Sequence, residues 1–124
     1  MKTIFSGLLL WFITATCLAD CLANLDKQVI QRKNGVKVLE LGTCEITDAK
    51  LPPVLTYLEN HPEITVLDVI FNGIEGQGAV LLAQNKTLRA IYLDENIVDD
   101  AGAIALSKNP RLQELQLADN KITD

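Results

Sequence analysis

One histidine, three cysteines, one tryptophan and one methionine in 124 residues leave this chain short of the side chains that most catalytic and metal chemistry uses. A structural zinc site draws four Cys or His ligands together, and His61 with Cys21 and Cys44, the two widely spaced cysteines of the expected mature chain, cannot supply them. His61 lies in Asn60-His61-Pro62, a turn composition. A general base needs a substrate or nucleophile within hydrogen-bond reach, so this residue reads as part of a surface loop. The acidic pairs Asp94-Glu95 and Asp99-Asp100 lack the ligand spacing of a calcium loop. Asp99 and Asp100 precede a predicted helix, where carboxylates cap the first turn and complement its dipole. No catalytic residue, metal site or cofactor site emerges. The 11 basic residues are scattered in the sequence and the net charge is −5, which argues against the dense basic patch of a nucleic-acid surface. Long apolar runs are also missing. The stretch from Ile4 to Ala19 is broken by Thr14 and Thr16 and falls short of the roughly 20 residues of a comfortable membrane span.

That stretch follows Lys2 and contains Leu8, Leu9, Leu10, Trp11, Phe12 and Ile13, the make-up of a secretory signal peptide. Cleavage after Ala19 puts the small residues Cys17 and Ala19 where the peptidase inspects them; Ala23 is a second choice. A retained apolar anchor stays open, and so does lipidation at Cys21, although Asp20 before the cysteine departs from the usual small residue. The expected location is secreted or periplasmic, with a membrane-anchored or translocated effector as the alternative. After cleavage two cysteines remain, Cys21 and Cys44. One bridge in an oxidising compartment is compatible with that number, and a buried free thiol at Cys44 is the competing reading.

From Ile64 onward the chain repeats itself. The block Leu-x-x-Ile/Leu-x-Leu-x-x-Asn-x-Val/Ile runs from Leu88 to Val98 and returns from Leu112 to Ile122, with a close copy from Ile64 to Ile74. The aligned asparagines Asn72, Asn96 and Asn120 stand 24 residues apart, a period that signals a stacked solenoid. This resembles a leucine-rich repeat. An earlier repeat begins at Val36 in the same frame through Leu39, Leu41, Cys44 and Ile46, with four extra residues around Lys50 to Pro53. Cys44 thus takes the ladder position of Asn72, Asn96 and Asn120, where such repeats accept either residue.

The expected fold is α/β: a parallel inner sheet, convex helices, about three and a half repeats and an N-terminal helical cap. Residues 1–19 form the signal peptide, 20–35 the cap helix and 36–124 the repeat domain, divided at 36–63, 64–87, 88–111 and a partial 112–124. The helical spacing of Leu22, Leu25, Val29 and Ile30 predicts the cap helix, with Asn34-Gly35 as its stop. Period-two alternation predicts strands near Val38 to Gly42, Val66 to Ile70, Ala90 to Asp94 and Glu114 to Ala118. The intervening helices are expected to span about ten residues in the two short repeats and more in the first. Gly78-Ala79 and Gly102-Ala103 open the two short helices, where bulk would push the layers apart.

The spacing Asn96-x-Val98-x-x-x-Gly102-Ala103-x-x-Leu106, with its copy from Asn72 to Leu82, resembles the GALA-type repeats of bacterial secreted and effector proteins. The longer first repeat resembles the ribonuclease-inhibitor type. The resemblance implies binding of a protein through the concave sheet. Some such effectors add an F-box, and no segment here reads as one.

Outward strand positions form one surface, and Val66, Asp68, Ile70, Tyr92, Asp94, Glu114 and Gln116 are its candidate partner-binding residues. An aromatic centre is a common interface anchor, and its carboxylates would select a basic protein. Nothing after Asp124 covers Leu112, Leu115, Leu117 and Ile122 in this sequence. The expectation is self-association through that end, or a fragment of a larger effector or adaptor whose active domain lies elsewhere.

Overall fold

The computed structural model describes residues 21–123. The expected signal peptide and its cleavage points before residue 21 lie outside the described residues. Five strands form one sheet in chain order: β1 (Val29–Gln31), β2 (Lys37–Glu40), β3 (Ile64–Asp68), β4 (Ala90–Tyr92) and β5 (Glu114–Gln116). Strands β2 to β5 are parallel. Three helices join them across the convex side: α1 (Leu51–Asn60), α2 (Gly76–Ala83) and α3 (Asp100–Ser107). The two short helices have 8 residues and the first has 10, each shorter than expected. A 3-10 turn at Asp48–Lys50 takes up part of the first repeat's extra length. None of the described helices is long and apolar enough to cross a membrane.

Register explains the core. Leu39, Leu67, Ile91 and Leu115 are successive partners across the four parallel strands, and they form a column facing the helices. Leu41, Val69 and Leu93 continue it one step further along. Leu39, Leu41, Leu67 and Ile91 are fully buried together with Leu51, Leu58 and Leu82 from the helices. Each such side chain contributes roughly 1.5–3 kcal/mol by leaving water. The regular strands end earlier than the alternation suggests, because the backbone turns there. Pairing nevertheless continues: the Leu41 amide donates to the Asp68 carbonyl at 2.7 Å and the Phe71 amide to the Asp94 carbonyl at 3.1 Å.

The N-terminal cap differs from the single helix expected over 20–35. Residues 21–23 are helical and Leu25–Gln28 forms a 3-10 helix, after which the chain becomes β1 and pairs antiparallel with β2. The β-branched neighbours Val29 and Ile30 suit a strand, and the bare edge of β2 offers backbone partners that a helix could not use. Asn34-Gly35 therefore turns a hairpin rather than stopping a helix. Gly35 has φ 86°, open to glycine at little cost, and its amide donates to the Arg32 carbonyl at 2.9 Å. A disulfide joins Cys21 of the cap to Cys44 of the first repeat, with Cα atoms 6.0 Å apart.

Candidate functional site

The concave face is set by the turn that ends each strand. Asn96 is 7% exposed, and its side chain reaches both its own turn and the preceding repeat. Its Oδ1 accepts from the Ile74 amide at 3.0 Å, while Nδ2 donates to the carbonyls of Val69 at 2.9 Å and Leu93 at 3.1 Å. Asn72 does the same one layer earlier, accepting from the amides of Cys44 and Ile46 and donating to the carbonyls of Leu41 and Val69. Asn120 accepts from the Val98 amide and donates to the carbonyls of Leu93 and Leu117. Each amide thereby satisfies backbone groups that burial would otherwise orphan. Cys44, at the first ladder position, is tied to the cap by its disulfide instead.

Immediately before each ladder position the backbone is left-handed: Thr43, Phe71, Glu95 and Asp119 have φ between 56° and 57°. Such a conformation costs a side-chain-bearing residue about 1–2 kcal/mol. Three of the four are polar and Phe71 is aromatic, with 55% of its surface exposed. Sequence reasoning passed over Phe71; the visible signal was a large aromatic where the other repeats have Thr, Glu and Asp.

The structure divides the seven expected contact residues. Val66 is 5% and Tyr92 is 9% exposed; with Val38 and Ala90 they form an inner-face apolar cluster, flanked by Val36 and Ile70. Neighbouring strands about 4.8 Å apart shield such side chains. The β1–β2 hairpin adds Arg32, whose guanidinium carbon lies 5.7 Å from the Tyr92 ring centroid and whose Nη1 donates to the Tyr92 hydroxyl at 3.5 Å. Val66 and Tyr92 therefore lie on the expected side of the sheet but are largely covered there. Ile70, Asp68, Asp94 and Gln116 are half-buried and Glu114 is exposed.

The acidic groups are partly engaged. Asp68 accepts from the Ile70 amide at 3.1 Å, Asp94 from the Ala118 amide at 2.7 Å, and Glu114 from the Gln116 side chain at 3.1 Å. Arg32 feels the same field. Its pKa is raised first by the hydrogen bond to Tyr92 and then, against a desolvation effect, by Tyr92, Glu114 and Asp68. The concave surface is thus a covered apolar row with an acidic surround, one cation already over it, and Ile70 and Phe71 along its C-terminal rim.

Other titratable groups have structural partners. Asp99 caps α3, accepting from the Gly102 amide at 2.9 Å. Asp100 accepts from the Thr123 hydroxyl and amide, which lowers its pKa. His61 stacks on Tyr57, with ring centroids 4.2 Å apart, and pairs with Glu63 at 3.1 Å. Among the described residues no cluster of three His, Cys, Asp or Glu side chains could hold a metal.

A second asparagine pair also escaped the sequence reading. Asn109 donates to the carbonyls of Ala83 at 2.9 Å and Asn85 at 2.8 Å, and accepts from the Arg111 amide. Asn85 accepts from the amides of Thr87 and Leu88. Their own 24-residue separation was the available signal. At the far end of the stack, Leu112, Leu115 and Leu117 pack on the core but are only half-buried, and Ile122 is 39% exposed.

Comparison with known proteins places this geometry. A family described as Leucine Rich repeat matches residues 61–83, 84–107 and 108–124. No curated protein sequence matches the chain. Among solved structures, one titled "Leiomodin-1 Actin-Binding Site 2 (ABS2)" is similar at 18% identity with a TM-score of 0.59. The alignment covers 83% of this chain and 61% of that one, so the present chain spans about three-fifths of its neighbour's length.

Proposed function

Because the chain belongs to the leucine-rich repeat family, we propose that it is an exported, non-enzymatic module that binds a basic protein through the rim of its concave sheet. The observation that carries this reading is Phe71, a half-exposed aromatic held in a left-handed conformation beside Ile70. The left-handed turn is common to all four repeats, so what sets this position apart is its side chain: an exposed aromatic where the others carry Thr, Glu and Asp, and aromatic anchors dominate interface energetics. Asp68, Asp94 and Glu114 surround the same face and give it a sign. Solenoids use such extended inner surfaces for partners, and the similar leiomodin-1 structure is titled as an actin-binding site. The GALA-like spacing and the apolar N-terminal stretch add export from a bacterial cell to this reading.

Two measurements test it. The mature protein recovered from its producer should begin at Asp20; an uncleaved N-terminus would remove export. Wild-type protein immobilised in its oxidised form should retain a basic protein that Phe71→Ala and Ile70→Ser variants, folded by circular dichroism, release. Equal retention by all three would end the rim assignment.

The half-open layer of Leu112, Leu115, Leu117 and Ile122 favours self-association at that end as a second reading. A single monomer mass across the full concentration range in sedimentation equilibrium would remove it.

A further inference from the structure

A separate cleft lies on the helical side. The last turns of α2 and α3, with the loops that leave them, border an open groove of about 530 Å³ lined in part by Val80, Ala83, Ala105, Lys86, Lys108 and Arg111. Val80 is 39% exposed, and Ile104 on the same helix as Ala105 is 53% exposed. The charge is unusual for this chain. Against a net charge of −5, the groove gathers three of 11 basic residues and no acidic one.

The helix ends account for only part of this. Cations favour a helix C-terminus, yet the corresponding turn of the first repeat has Glu63 at the position of Arg111 and Glu59 just before it. The repeat therefore does not require the basic cluster. Among the described residues the one ion pair is His61 with Glu63, so Lys86, Lys108 and Arg111 meet no carboxylate at that distance. The walls are also fixed in advance. Asn109 is 8% exposed and ties its own turn to the carbonyls of Ala83 and Asn85, and a site held before its ligand arrives loses less entropy on binding.

We propose that this groove docks an acidic, amphipathic segment of a partner protein. Its apolar side chains would lie on Val80, Ala83 and Ala105, and its carboxylates would meet Lys86, Lys108 and Arg111. The site is independent of the concave rim and has the opposite sign. A peptide fits better than an anionic bilayer, because the same edge carries Glu59 and Glu63, which would repel a charged membrane.

The test is a ¹⁵N-NMR titration of the oxidised protein with a short blocked peptide of Glu and Leu, alongside its Gln and Leu counterpart. Saturable shifts at Val80, Lys86, Lys108 and Arg111 are expected with the acidic peptide alone. Rising salt should weaken them, and the K108E/R111E double reversal should raise the dissociation constant about tenfold or more. Should that variant unfold, Lys86→Glu, on an exposed loop, provides a second reversal. No saturable shift, shifts confined to the concave residues, or unchanged affinity in a folded reversal variant would overturn the proposal. So would binding to phosphatidylserine-containing vesicles without peptide binding, which would reassign the groove to a membrane.

Discussion

Arg32 lies over the ring of Tyr92, 60 residues away in sequence, so the N-terminal hairpin shields the centre of the concave face. Arg32→Ala should uncover that ring. Tetranitromethane would then nitrate Tyr92 faster than in the wild-type protein, with mass spectrometry of the tryptic peptides assigning the site. Identical rates would mean that curvature alone protects the ring.

Asn96 serves backbone groups of two repeats at once. Alanine would leave the Ile74 amide and the Val69 carbonyl without that partner, at a cost of about 1–3 kcal/mol. Denaturant unfolding of Asn96→Ala checks this value. The exposed Asn34, whose side chain accepts only from the Val36 amide two residues on, is the contrasting site, and its substitution should cost less.

Gly102 lets α3 approach α2. A Cβ built there would stand 2.8 Å from the Ala79 Cβ and 3.0 Å from Val98 Cγ1, both belonging to buried residues. Alanine gains about 1 kcal/mol of helix propensity over glycine, but overpacking a tight contact costs about 1–3 kcal/mol. The second effect should win. A lower melting temperature for Gly102→Ala is expected, and a higher one would show that the helices can separate freely.

Tyr57 should titrate late. Burial and then the hydrogen bond to Asp26, at 2.6 Å, raise its pKa from 10.0 to about 12. A folded-state pKa above the unfolded one stabilises fully below about pH 10 and loses that contribution as pH climbs through 12. Ultraviolet titration of a Tyr92→Phe background should locate the late transition, and Asp26→Asn should move it downward. A midpoint near 10 in that background would contradict the contact.

Much of this architecture can be read from the residues alone. The recurring Leu-x-Leu alternation carries the parallel sheet, and the spacing from Gly78 to Leu82 carries a helix against it. The cap was harder, because Asn34-Gly35 serves equally as a helix stop and a hairpin turn; the free edge of β2 decides between them, and an edge exists only after the sheet is assembled. The binding face shows the same limit. Alternation identifies which side Val66 and Tyr92 occupy but not what lies over them, and the covering Arg32 comes from a distant hairpin. Phe71 and the Asn85–Asn109 pair were visible as letters, whereas their left-handed backbone and shared turn belong to the folded chain.

The asparagine ladder has a consequence for length. Asn72, Asn96 and Asn120 make their cross-layer bonds to backbone amides and carbonyls, which every ordinary residue presents alike. One layer therefore need not recognise which neighbour it sits on. A unit could be duplicated or excised between Ile64 and Leu112 with each remaining staple finding an equivalent seat, so extent can vary in whole layers while surface identity changes independently.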